Sequence, residues 1–473
     1  MNHNNRLSRL LLPTLLLSLL LGACDNRQDE AQAAYAEYQA AMVNGDLRAA
    51  RQALGALVAA DDSNADYWIE LGKVSMQLSD FGAAYEAYLR AHELDRANVE
   101  VLTMLTQIAL RSGNLDVAER QASQLELVAP SNPAVPLTKG YVALRRGDLD
   151  EAERQVKLFN EVAPYDSNGK ILQARVLMKR DQPDAAIALL QEQIRQQPSD
   201  AISLRAIASL FELEERWPEA ASALRNYLNW QPTDQQARVR LVSFELRSGQ
   251  VEAAADATMK GIDKDDVDAL LAPWLALGQQ GAIADRLHVW AQSANIGRRM
   301  AVARFLVSAS QGEKVLALVG KEATLPVKPA NVVPNALYGA ALVQTGRIPE
   351  GQARLDQVLE VDQASREALK ARAQLRSRLG AHKGALEDAQ KLVAIDGDSA
   401  AARILLARIH AAAGDQEGAK RTLWQGFHDI AGDRTIYDAL RPLVERMEGT
   451  EAATRLSEEF FDQRNDQLSR SFG

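Results

Sequence analysis

The chain has 473 residues, a formal net charge of -9, one cysteine and 47% hydrophobic residues. That length and apolar content can supply an extensive core, while the acidic balance argues against nucleic acid or an anionic membrane surface as a partner read through global charge. A lone cysteine leaves no intrachain disulfide.

At the start of the chain, Arg6 and Arg9 precede an apolar run from Leu10 to Leu21 that ends in Leu21-Gly22-Ala23-Cys24. The run is too short to cross a bilayer comfortably and closes on small residues, so residues 1–23 read as a cleaved secretory signal. Its end resembles the lipobox of bacterial lipoproteins. That resemblance implies that Cys24 is diacylated on sulfur, becomes the mature N-terminus and is then N-acylated. The alternative is an incidental cysteine beside a signal or an uncleaved anchor. Two or three acyl chains on one residue anchor a protein stably, whereas a single chain binds marginally. Removing the leader deletes Arg6 and Arg9 and no acid, so the mature body becomes more acidic. Residues 24–30 form a lipidated linker, in which Asp25 to Glu30 reach at most about 20 Å. Asp25 resembles the signal that retains lipoproteins in the inner membrane of enteric bacteria. The expected address is the periplasm, held by lipid, at the inner rather than the outer membrane. No later apolar stretch approaches membrane-spanning length.

Beyond the linker, Ala50, Ala84, Ala118, Ala152, Ala186, Ala220 and Ala254 recur every 34 residues. Around Ala84 stand Trp68, Leu71, Gly72, Tyr88 and Ala91, a pattern that resembles the tetratricopeptide repeat, a helix-turn-helix unit of about 34 residues. With the ladder alanine at position 20, seven contiguous units run from Ala31 to Asp268. Position 8 holds Gly72, Thr106, Gly140, Ala174 and Ala208, small enough for two helices to approach. Gly45, Gly113, Gly147 and Gly249 fit a turn at positive φ, and apolar residues such as Leu47, Phe81 and Trp217 follow two positions later. Pro130, Pro164, Pro198 and Pro232 separate successive units, because proline cannot continue a helix interior.

The spacing is helical throughout, so the fold class is all-α. The resemblance implies a right-handed superhelical solenoid of about thirteen repeats, stabilised by contacts between neighbours. Residues 31–268 form the regular N-terminal array. In residues 269–331 the frame deteriorates: the ladder position falls on Arg286, and Gly281 and Gly312 are the candidate turn residues. Degenerate repeats are favoured there over a joint in which the pitch changes. Regularity returns in residues 332–473, where Gly346, Gly380 and Ala385, and Gly414 and Ala419 mark units before a polar cap.

None of the six histidines has paired-ligand spacing, and no nucleophile elbow, phosphate loop or dinucleotide fingerprint occurs. The expectation is a non-enzyme without metal or cofactor. Positions 2, 5, 9, 12 and 13 of each tetratricopeptide unit tend to face the groove, and here they hold Arg111, Arg145, Lys179 and Arg247 at position 13, Arg175 at position 9 and Arg205 at position 5. Such a row could take acidic peptide segments, a terminal carboxylate or an anionic glycan, since arginine makes forked carboxylate contacts. Equally, position 13 lies in a last helical turn, where the helix dipole favours a cation. Both explanations stay open. Lys370 with Gln374 is the nearest match to the lysine–asparagine clamp of chaperone-binding relatives, and it lacks the asparagines. The architecture resembles bacterial lipoproteins with these repeats that accompany exopolysaccharide assembly, PEP-CTERM protein sorting, or outer-membrane protein and pilus assembly. That resemblance implies an adaptor that captures other envelope proteins in its concave face, with direct binding of acidic peptides or anionic glycans as the alternative.

Overall fold

The computed structural model describes the backbone of residues 12–471 and the side chains of residues 27–460 and 463. Cys24 and the leader before it lie outside the residues whose side chains are described. Among the described residues the chain forms twenty-six α-helices, two short 3-10 turns and no strand, as the helical spacing requires. These are thirteen helix pairs. The first helix, Leu12–Val43, includes the backbone of Asp25 to Glu30, so these residues rise as helix, about 1.5 Å each, rather than as extended chain. Among the described residues no helix is long and apolar enough to cross a membrane.

In the regular region, first helices Ala65–Gln77, Val99–Arg111, Ala134–Arg146, Ser167–Lys179, Ala201–Leu213 and Gln235–Arg247 begin on or within a residue of the 34-residue frame. They alternate with second helices Leu47–Ala60, Phe81–Leu94, Leu115–Val128, Leu149–Val162, Pro183–Gln196, Trp217–Trp230 and Val251–Gly261. Capping fixes these starts. Asp46, Asp80, Asn114 and Asp148 accept backbone N–H groups at the mouths of second helices, and Asn64, Asn98, Asp166, Asp200 and Asp234 do so for first helices. Each such cap contributes about 1 kcal/mol by satisfying a donor that the helix cannot.

The ladder alanines are all fully buried at 0% exposure. Their surroundings explain their size. Ala118 packs in one cluster with Ala109 of its own first helix and Val142 of the next repeat, and Ala152 packs likewise with Ala143 and Val176. A ladder residue is therefore enclosed by its own pair and by the following repeat at once. At position 8, a Cβ added to Gly72 would come within 2.7 Å of the Tyr88 ring, so the glycine makes room for that ring.

The turn glycines Gly45, Gly113, Gly147 and Gly249 have φ between 71 and 80°. In the intervening repeats Ser79, Asp181 and Glu215 take the same turn position at φ 60, 59 and 54°. The conformation belongs to the turn, and glycine is only its cheapest occupant.

Within residues 269–331 the second helices Ala284–Ala291 and Gly312–Val319 have only eight residues each. Two expectations are corrected here. The positive-φ turn residues are Gly278 and Ser310, whereas Gly281 lies in a 3-10 turn and Gly312 opens a helix. The ladder itself continues one residue after Arg286, at Leu287, then at Val315, Gly351, Ala385, Ala419 and Ala453, each buried. Arg286 is instead turned to the surface, where it pairs with Glu252 and Asp256.

Among the described residues, those up to Leu189 and those from Leu190 form two compact units, divided inside the helix Pro183–Gln196.

Candidate protein-binding face

A stack of helix pairs exposes an inner face built by first helices. In the second unit, side chains at the groove positions of non-adjacent repeats meet on that face. Arg304, from the first helix Ile296–Ser308, donates to Glu367 at 2.6 Å and lies 3.2 Å from Asp268. Lys370 donates to Ser308 Oγ at 3.0 Å, 62 residues away in sequence. The intervening first helix, Val332–Gln344, offers Ala336 and Ala340 at the corresponding positions, and these short side chains let its two neighbours join across it. Burial raises the Asp268 carboxyl pKa, with the Arg304 charge opposing the shift. Burial lowers the Lys370 pKa, with the Glu367 charge opposing the shift. This part of the inner face is bridged by its own charges. Lys370, the nearest match to a clamp lysine, is engaged in that bridge.

The six cations singled out by the frame fall in different settings. In the first unit, Arg111 ends its helix with its guanidinium 4.2 Å from the centroid of the Phe81 ring. Arg175 lies 5.1 Å from the Tyr141 ring, one repeat earlier at the same position. Burial depresses the Arg175 pKa, Tyr141 opposes this and the charge of Arg145 adds to it. Lys179 is exposed at the end of its helix. In the second unit, Arg205 lies 5.9 Å from the Tyr227 ring of its own second helix, and Arg247 lies 5.1 Å from the Trp217 ring. Burial and then the charge of Arg434 lower the Arg247 pKa.

Arg111 over Phe81 and Arg247 over Trp217 are the same contact in register: position 13 of one repeat on position 17 of the repeat before. A cation held over a ring in this way contributes about 0.5–2 kcal/mol, depending on its exposure. These two arginines, each in the last turn of its helix, therefore also join neighbouring repeats.

Sequence reasoning passed over a second series at position 14. Arg146 pairs with Asp116 and Glu119, and Arg180 with Asp150 and Glu153, again one repeat to the one before. The recurrent 30-residue separation of arginine from aspartate was the available signal. Among the described residues no group of three or more histidine, cysteine, aspartate or glutamate residues is placed to hold a metal ion.

A family model described as a tetratricopeptide repeat matches residues 35–98, 103–156, 171–231 and 339–400, about half of the chain. Comparison with curated proteins found no match. Among solved structures, a tetratricopeptide repeat protein from Parabacteroides merdae ATCC 43184 is similar at 16% identity and a TM-score of 0.42, over 52% of this chain and 98% of that one. A thermophilic tetratricopeptide repeat protein from Thermus thermophilus is similar at 21% identity and a TM-score of 0.36, over 39% of this chain and 100% of that one. Yeast Tom70 is similar at 12% identity and a TM-score of 0.29, over 94% of this chain and 95% of that one.

Proposed function

Because this chain belongs to the tetratricopeptide repeat family, we propose that it is a scaffold of a bacterial cell envelope, anchored by acyl chains on Cys24 and receiving segments of other envelope proteins on its inner face. The repeats suggest an interaction scaffold. Asp25 favours the inner membrane, and the route is one of assembly, secretion, or exopolysaccharide or protein sorting. The observation that carries the binding site is Arg175 held 5.1 Å from the Tyr141 ring at the same position of the preceding repeat, with Lys179 exposed at the end of the same helix. Arginine recognises an acidic segment through forked hydrogen bonds to its carboxylates.

The test combines anchoring and capture. Full-length protein should incorporate labelled palmitate and remain with membranes, and Cys24→Ser should abolish both. Arg145→Glu with Arg175→Glu should release a co-purifying acidic partner while leaving the helical content and the membrane association intact. Retention of the same partner by the double variant would remove this site from the binding surface. Retention on an anionic glycan instead of a peptide column would favour the glycan alternative.

A further inference from the structure

Within the second unit, two segments far apart in sequence are joined by side chains rather than by adjacent repeats. Arg434 opens the helix Arg434–Glu448, and its Nη2 lies 3.2 Å from Oε1 of Glu215, 219 residues earlier. In the opposite direction, Arg247 Nη2 reaches to 3.9 Å of Asp438 Oδ2. Each arginine stacks on aromatic residues of its own side: Arg247 on Trp217, and Arg434 on Tyr437 and Phe460. Arg434 Nε also donates to Asp438 at 2.9 Å, which ties the two reaching pairs together. The contact is thus reciprocal, with each side contributing a ring-backed cation and a carboxylate.

Its packing and its exposure mark it as a contact that can open. A pocket of about 400 Å³ lies there, lined by Glu215, Arg434, Tyr437, Asp438, Arg441 and Ser457 among others, so the surfaces are not close-packed around the ion pairs. The carboxylates remain 54% and 44% exposed, so water and salt reach them. Glu215 also stands at φ 54°, in the turn position that glycine fills in four of the first seven repeats. A glutamate is a poorer occupant of left-handed backbone than glycine, so Glu215, like Ser79 and Asp181, carries a backbone cost there.

We infer that Glu215, Arg434, Arg247 and Asp438 form a salt-sensitive latch that closes the second unit on itself, so that the width of its inner face changes when the latch opens. The latch does not depend on which partner the scaffold binds. Closing brings the turn before Trp217 against the helix Arg434–Glu448. Opening releases Glu215 and Arg247, while Arg434 and Asp438 stay paired on their own helix, and an acidic segment entering the inner face would compete with Asp438 for Arg247.

The test places spin labels at Ser222→Cys and Arg455→Cys in a full-length Cys24→Ser background and reads their separation by double electron–electron resonance. At low ionic strength one short population is expected. In about 1 M NaCl, where screening acts beyond about 3 Å, the distribution should shift to longer distances. Glu215→Gly should give the long distances at low salt while melting no earlier than the parent, since glycine suits the turn. Glu215→Gln, which keeps the backbone cost and removes only the charge, should also lengthen the separation, and it decides the matter if the glycine variant folds poorly. Distances that stay short in high salt and in Glu215→Gln would overturn the latch.

Discussion

A ladder residue must fit between its own helix pair and the next repeat, and at Gly351 the fit leaves no room for a side chain. There an added Cβ would stand 2.7 Å from the Gly339 carbonyl oxygen and 2.9 Å from the Val343 backbone nitrogen. Backbone atoms of a packed helix cannot move aside as a flexible side chain can. Gly351→Ala, an ordinary substitution at other rungs, should therefore destabilise the second unit by about 1–3 kcal/mol, the usual cost of overpacking. Urea unfolding would measure it, and an unchanged midpoint would mean that the two helices are less closely apposed. The sequence displayed the seven alanines because they share one residue type. It hid Leu287, Val315 and Gly351 because the shared requirement is a buried fit, which three different side chains meet where helix lengths and approaches differ.

At the scale of elements, helix starts and turns follow from local chemistry, and most of them are legible. Proline and glycine punctuate the frame, and aspartate or asparagine caps the helices that follow. Less legible is what joins one helix to another. Arg304 looks like an ordinary surface residue in the sequence, yet it ties the first helices bearing Asp268 and Glu367, because the helix between them carries alanines. Arg304→Ala should lower the stability of the second unit by about 1 kcal/mol, the upper range for a partly exposed ion pair. Differential melting at low and high salt would check this, with the deficit shrinking as salt screens the parent's pairs. A deficit independent of salt would assign the loss to packing of the arginine stem instead. The frame likewise located the candidate cations but not their neighbours. Arg111 and Arg247 meet rings one repeat back, and such a pairing shows in the sequence only when positions 13 and 17 of successive repeats are compared.

For the whole molecule, stability is distributed along the chain: small clusters recur between neighbouring helix pairs, as in those around Ala118 and Ala152. This arrangement leaves the inner face free to vary without loss of the fold. In the second unit part of that face is bridged by Arg304 and Lys370, and in the first unit Arg175 lies over Tyr141 of the preceding repeat. The first unit is the proposed place of capture. The most direct measurement puts a photo-crosslinking amino acid, in cells making the full-length protein, at Lys179 on a first helix or at Leu127, which is 85% exposed on a second helix. Discrete adducts with another envelope protein at Lys179 and none at Leu127 are the predicted result; no adduct at Lys179, or the same adducts at both positions, would contradict a scaffold that binds through its inner face.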